Sequence, residues 1–203
     1  MITGNLFIIT AASGAGKTSL IKALLKQDAH LKLSVSHTTR QPRPGEVNGV
    51  DYHFVDDAAF LKMLGEAQFL ESAQVHGARY GTSQSAVDVP LQAGQDVILE
   101  IDWQGAAQVR RLFPTATSIF VLPPSLETLE QRLNSRGQDS QETISKRVAA
   151  AQSEMRHVGE FDYVTINDNF DVALQDIGAI VRTQRLVAAV QLQRYASLIQ
   201  TLT

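Results

Sequence analysis

Eight residues near the N-terminus constrain this chain more than any others. Ala11-Ala12-Ser13-Gly14-Ala15-Gly16-Lys17-Thr18 fits the phosphate-loop pattern G-x-x-x-x-G-K-S/T except at its first position, where Ala11 stands for Gly. Glycines let such a loop curl until several backbone N–H groups face one anion, and the helix that follows adds its positive end. Lys17 then reaches the terminal phosphates, and the Thr18 hydroxyl can ligate a Mg²⁺ that bridges two of them. Alanine is disfavoured only where φ must be positive, so Ala11 need not abolish the loop. The flanks agree. Residues 5–10 (N-L-F-I-I-T) form a short apolar run suited to a buried strand, and Leu20, Ile21, Leu24 and Leu25 fall at helical spacing. Strand, small-residue loop and helix together open a parallel α/β fold.

The same alternation returns later in the chain. Residues 96–101 (D-V-I-L-E-I) and 117–122 (T-S-I-F-V-L) read as buried strands and 163–166 as a short one. Helical patterns cover 104–112, 126–134 with Ser125 as N-cap, 140–157, and a long stretch from 171 to about 199. A turn is expected at 136–139. Residues 34–90 break the rhythm: strands are expected at 33–39, 52–55 and 69–75, punctuated by Gly45, Gly49, Gly77 and Gly81. This reads as a small mixed β lobe inserted into the core. Pro90 should kink or end the helix that contains it.

Composition excludes several classes. A chain of 203 residues forms one compact domain or a core with small inserted lobes. The net charge of -3 argues against a nucleic-acid coat protein, and the lack of Cys removes disulfides, thiol nucleophiles and thiolate metal sites. The five histidines lack metal-ligand spacing and read as structural or surface residues. No apolar run approaches the ~20 residues that span a bilayer, and no basic segment precedes the first apolar run as in a secretory signal. The expectation is a soluble cytoplasmic protein with no nucleic-acid or membrane partner.

Further segments carry a family resemblance: S-V-S-H-T-T-R-Q-P-R-P-G-E-V-N-G-V-D-Y-H-F (34–54), F-L-E-S-A-Q (69–74), R-Y-G-T (79–82), L-E-I-D-W-Q-G (99–105), I-F-V-L-P-P-S (119–125), R-L-N-S-R-G (132–137) and I-N-D (166–168). On these the chain resembles the bacterial guanylate kinases over nearly all its length. The resemblance implies transfer of the ATP γ-phosphate to GMP, with Mg²⁺ as cofactor. It implies a single domain with a P-loop core (about 1–33, 83–125 and 158–203), a GMP-binding lobe (about 34–82) and a helical lid (about 126–157). Asn167 falls where the family contacts adenine. Arg132, Arg136 and Arg147 fall where lid arginines close over the ATP phosphates and, with Lys17 and Arg40, stabilise the transferred charge.

The acceptor residues suit that reading. Arg40 and Arg43 flank Pro42 and can grip a doubly charged phosphate bidentately, while Tyr52 and Tyr80 can donate hydroxyls to it. Guanine offers two donors and one acceptor. By resemblance Glu71, Ser36 and Thr82 read them, and Asp102 lies near the guanine and the metal-water network. Adenine lacks the donor pair, so discrimination against AMP is expected. Glu100 carries less weight, and Trp103 reads as packing. Two other functions are compatible with parts of the sequence. One is a kinase for another nucleoside monophosphate, against which the Glu71 set argues. The other is a non-catalytic interaction module, for which Ala11 is the only support. The C-terminal helix, with Ile180, Val181, Leu186, Val187 and Val190, covers the core or holds a partner chain, so a homo-oligomer stays open.

Overall fold

The computed structural model describes residues 4–75, 77–134 and 141–203. At its centre lies β1 (Leu6–Ala11), paired in parallel with β7 (Asp96–Glu100) on one side and β8 (Thr117–Leu122) on the other. With β2 (Leu31–Leu33) and β9 (Tyr163–Ile166) they form a five-stranded parallel sheet in the order β2-β7-β1-β8-β9. The two faces of β1 feed two cores, because successive side chains point to opposite sides. Phe7 and Ile9 pack with Leu20, Ile21 and Leu24 of α1 (Lys17–Gln27) and with Ala173, Leu174, Ile177 and Val181 of α7 (Phe170–Arg185). Leu6 and Ile8 pack with Val87 and Leu91 of α3 (Gln84–Gln92) and with Ala106 and Val109 of α4 (Trp103–Leu112). Each such buried aliphatic side chain contributes about 1.5–3 kcal/mol. The expected α/β core with a flanked parallel sheet is present.

A second sheet is mixed. It contains β3 (His37–Thr38), β4 (His53–Phe54), β5 (Phe69–Val75) and β6 (Ala78–Ser83), ordered β4-β3-β6-β5. The strand expected over 33–39 is therefore two strands in two sheets. Ser34 N–H still bonds Ile98 O of the core sheet, whereas Ser36 O already accepts from His53 N–H of the second. Helix α2 (Asp57–Gly65) and strand β6 were not anticipated. Asp56 caps α2 by accepting from Ala59 N–H at 2.7 Å, and Phe60 anchors it by stacking on Phe69 with ring centroids 4.5 Å apart.

Helices α5 (Leu126–Asn134) and α6 (Gln141–Met155) close a third small core in which Leu129, Leu133, Ile144 and Ala151 surround Ala12. Ser125 caps α5 as expected, its hydroxyl accepting from Thr128 N–H at 3.1 Å. The expected turn at 136–139 lies outside the described residues. Helix α3 ends at Gln92, two residues past Pro90.

The long helix expected from 171 to about 199 ends instead at Arg185. There α7 has run the length of the sheet: Arg185 donates to Asp96, the first residue of β7, at 2.6 Å and to Asp28, just past α1, at 2.7 Å. The Leu186 amide turns back to Thr183 O, and the Gln191 side chain donates to Arg185 O at 2.6 Å. Two short helices follow, α8 (Ala188–Arg194) and α9 (Ala196–Leu202), neither with a buried residue. No helix among the described residues is long and apolar enough to cross a membrane.

Candidate active site

The loop from Ala11 to Thr18 leaves β1 at the C-terminal edge of the sheet, where ligands of open α/β sheets bind. Gly14 and Gly16 have φ of 94° and 96°, and a Cβ at Gly16 would lie 2.4 Å from the Asn167 amide nitrogen. These two positions require glycine. Ala11 does not: it is the last residue of β1, in register with Val121, and Ala67 is the only described non-glycine residue with positive φ. The Lys17 ammonium donates to Ile101 O at 3.2 Å, and the Thr18 hydroxyl donates to the Glu100 carboxylate at 2.5 Å. Both partners come from the end of β7, which places a carboxylate beside the loop's hydroxyl.

The helical pair over the loop supplies further contacts. Arg147 of α6 donates to the Ser13 hydroxyl at 2.9 Å, and Ser13 N–H donates to Glu154 of the same helix at 3.1 Å. Arg132 of α5 donates to Asn167 O at 2.9 Å, and the Asn167 side chain donates to Ala15 O at 2.7 Å. Arg132 and Asn167 thus tie the loop backbone to α5 and to the end of β9. Arg136 lies outside the described residues.

Across the cleft sits a buried polar group. Glu71 on β5 is 3% exposed and pairs in register with Thr82 on β6, whose hydroxyl lies 3.0 Å from that of Ser36. Burial pushes the Glu71 carboxyl up to about 7, with the nearby Asp102 charge adding to the effect and Thr82 opposing it. Asp102 caps α4 by accepting from Gly105 N–H at 2.9 Å.

The two arginines expected on phosphate differ in placement. Arg43 lines the cleft with Tyr52 and Tyr80, whose rings meet edge-on at 5.9 Å. Arg40 makes a two-point pair with Glu46 at 2.8 and 3.0 Å and lies 5.4 Å from the centre of the Tyr52 ring. That pair outweighs burial and holds the Glu46 carboxyl below its ordinary range. Burial pushes the Tyr52 phenol up.

One cleft of about 230 Å³ joins these parts: Ala11, Ala12, Ser13, Gly14, Gly16, Lys17 and Thr18 line one side, and Ser36, Arg43, Tyr52, Glu71, Tyr80 and Asp102 the other. Arg147 lines it from α6. Ala15, Arg40, Thr82, Arg132 and Asn167 are not among its lining residues. Three residues that sequence reasoning gave little weight also line it: Glu100, Trp103 and Glu154. Trp103 stacks on His157 with centroids 3.6 Å apart and planes 7° from parallel, so His157 is tied to the site as well. The available signal for Glu100 and Trp103 was their place at the C-terminal end of a buried strand. Glu154 gave none.

A parallel sheet with a glycine loop at its C-terminal edge and a lysine and threonine opening the next helix defines a P-loop nucleotide-binding α/β protein. A protein-family model described as guanylate kinase matches residues 3–184. The chain is 66% identical over 199 residues to a guanylate kinase of Methylobacillus flagellatus, covering 98% of each chain. It is 57% identical over 195 residues to that of Thiobacillus denitrificans, covering 96% of this chain and 93% of the relative. The crystal structure of guanylate kinase from Anaplasma phagocytophilum matches with a TM-score of 0.79 at 29% identity, over 95% of this chain and 93% of that one. The chain belongs to the guanylate kinase family.

Proposed function

We propose that this chain transfers the γ-phosphoryl group of ATP to GMP, giving ADP and GDP. The observation that carries the reading is that the phosphate loop and the buried Glu71 line one cleft, so donor phosphates and an acceptor base would face each other across it. Lys17 and the loop amides hold the ATP phosphates. Glu71 accepts from guanine N1–H and N2–H₂, and Ser36 with Thr82 serves O6. Arg43, Tyr52 and Tyr80 hold the GMP phosphate, joined by Arg40 once it exchanges Glu46 for that phosphate. A GMP phosphate oxygen attacks the γ-phosphorus, the bond to the ADP oxygen breaks, and no general base is required because the acceptor is already an anion. Arg147, Arg132 and Arg136 stabilise the charge spread over the group in transit.

The donor set fits Mg²⁺. The Thr18 hydroxyl and Glu100 carboxylate are hard oxygen ligands 2.5 Å apart, with Asp102 two residues past the end of that strand, at the N-cap of α4. An ion at this place would be held mainly by substrate phosphates and water. Bound there, Mg²⁺ would supply charge neutralisation at the phosphates. The proposed setting is the cytoplasm, where both nucleotides are held. Steady-state ADP formation with Mg-ATP and each of GMP, AMP, UMP and CMP tests the proposal. Fast turnover with GMP alone is expected; folded protein that turns over none of them would overturn it.

A further inference from the structure

We propose that Gly105 is a positioning residue for the guanine-reading carboxylate: its missing side chain is the space in which the Glu71 carboxylate sits. The inference rests on the reading of Glu71 given above. Gly105 is the third residue of α4, and in a helix glycine is less favourable than alanine. Local propensity therefore does not explain it. The tertiary approach does. A Cβ built on Gly105 would lie 2.5 Å from Glu71 Oε2, 3.1 Å from its Cδ and 3.4 Å from Asp102 Oδ1. The first distance is far inside van der Waals contact, so something must move.

The helix is not free to move. One turn further along α4, Gln108 grips the backbone of Ser72, the neighbour of Glu71 on β5: Ser72 N–H donates to its Oε1 at 3.2 Å, and its Nε2 donates to Ser72 O at 2.8 Å. This two-point clamp fixes how closely α4 lies along β5. An added methyl must instead displace the end of the Glu71 side chain, which is the part that would face guanine. Fold and specificity then separate: the contact falls on the tip of one side chain and leaves both backbones where they are.

Gly105→Ala, assayed beside wild type, tests this. The expected result is a rise in GMP KM on the order of 10- to 100-fold, the range for spoiling one hydrogen bond to a charged group. ATP KM and melting temperature should stay near wild type. Discrimination between GMP and IMP, which lacks the 2-amino donor, should fall, a readout that general loosening of the helix would not move. Unchanged GMP KM, an equal rise in both KM values, or unchanged discrimination would overturn the proposal. Failure of the variant to fold would also overturn it, because the give is placed in the carboxylate. Glu71→Ala run in parallel separates the two levels. If it leaves GMP KM unchanged, the guanine reading itself fails; if it raises GMP KM while Gly105→Ala does not, only the role of Gly105 fails.

Discussion

Ser13 N–H donates to the Glu154 carboxylate at 3.1 Å, while Arg147, two turns earlier on the same helix, donates to the Ser13 hydroxyl at 2.9 Å. An amide of the phosphate loop is thus occupied by an anion from the protein itself. ATP must displace that carboxylate before its own phosphate oxygens can take the amide, and the two negative charges repel each other. Glu154→Ala should therefore lower ATP KM by about two- to tenfold and leave GMP KM unchanged, the net range for exchanging one hydrogen bond for another. An ATP KM equal to or above wild type would show that Glu154 does not compete for the loop.

The raised Glu71 carboxyl makes stability depend on pH in a particular direction. Folding lifts it from the ordinary carboxylate range to about 7, so the folded state prefers the protonated form. Its contribution is best below the unfolded pKa, worsens as pH rises from about 4.5 to 7, and is constant above that. Glu71→Gln mimics the protonated form. It should raise the melting temperature at pH 8, by the equivalent of up to about 3 kcal/mol, and change it little at pH 5. Thermal melts of both proteins at the two pH values check this; equal shifts at both would mean that the carboxyl titrates normally.

Ala11→Gly is expected to do little to turnover. The residue ends a strand, and its backbone is outside the left-handed region. Glycine there adds only freedom to the unfolded chain, which costs about 0.5–1 kcal/mol of stability. Turnover within twofold of wild type, with a slightly lower denaturant midpoint, is the expected outcome. A large gain in ATP affinity would instead mean that Ala11 hampers the loop.

Much of this was legible in the linear chain because it depends on local pattern. Leu6 to Ile9 are apolar on both sides of the strand, which suits a strand covered on both faces, and Gly14, Gly16, Lys17 and Thr18 carry their chemistry in their spacing. Segments whose periodicity was unbroken were placed within a residue or two: β5 was expected at 69–75 and is found there. The second sheet was harder. Its strands β3 and β4 have two residues each, too few to show a period, and the run from Leu31 to Thr38 changes sheets without changing composition. The helix through 199 failed for the opposite reason: the apolar pattern continues past Arg185, but the sheet it would cover does not.

Residue type and spacing alone determined that a phosphate loop opens an α/β core, and that arginines, tyrosines and a glutamate are available to a second nucleotide. Tertiary structure decided which of them meet. It brought Glu100 from β7 to Thr18, Glu154 from α6 to Ser13, and the bare face of Gly105 to Glu71, pairs separated by dozens of residues in sequence. It also set the ionisation of Glu71, since a carboxyl titrates according to the water and charges around it, and those are supplied by β6, α4 and the P-loop lysine. Such contacts leave no periodic trace, because they depend on how separate elements pack and not on the order of residues within any one of them.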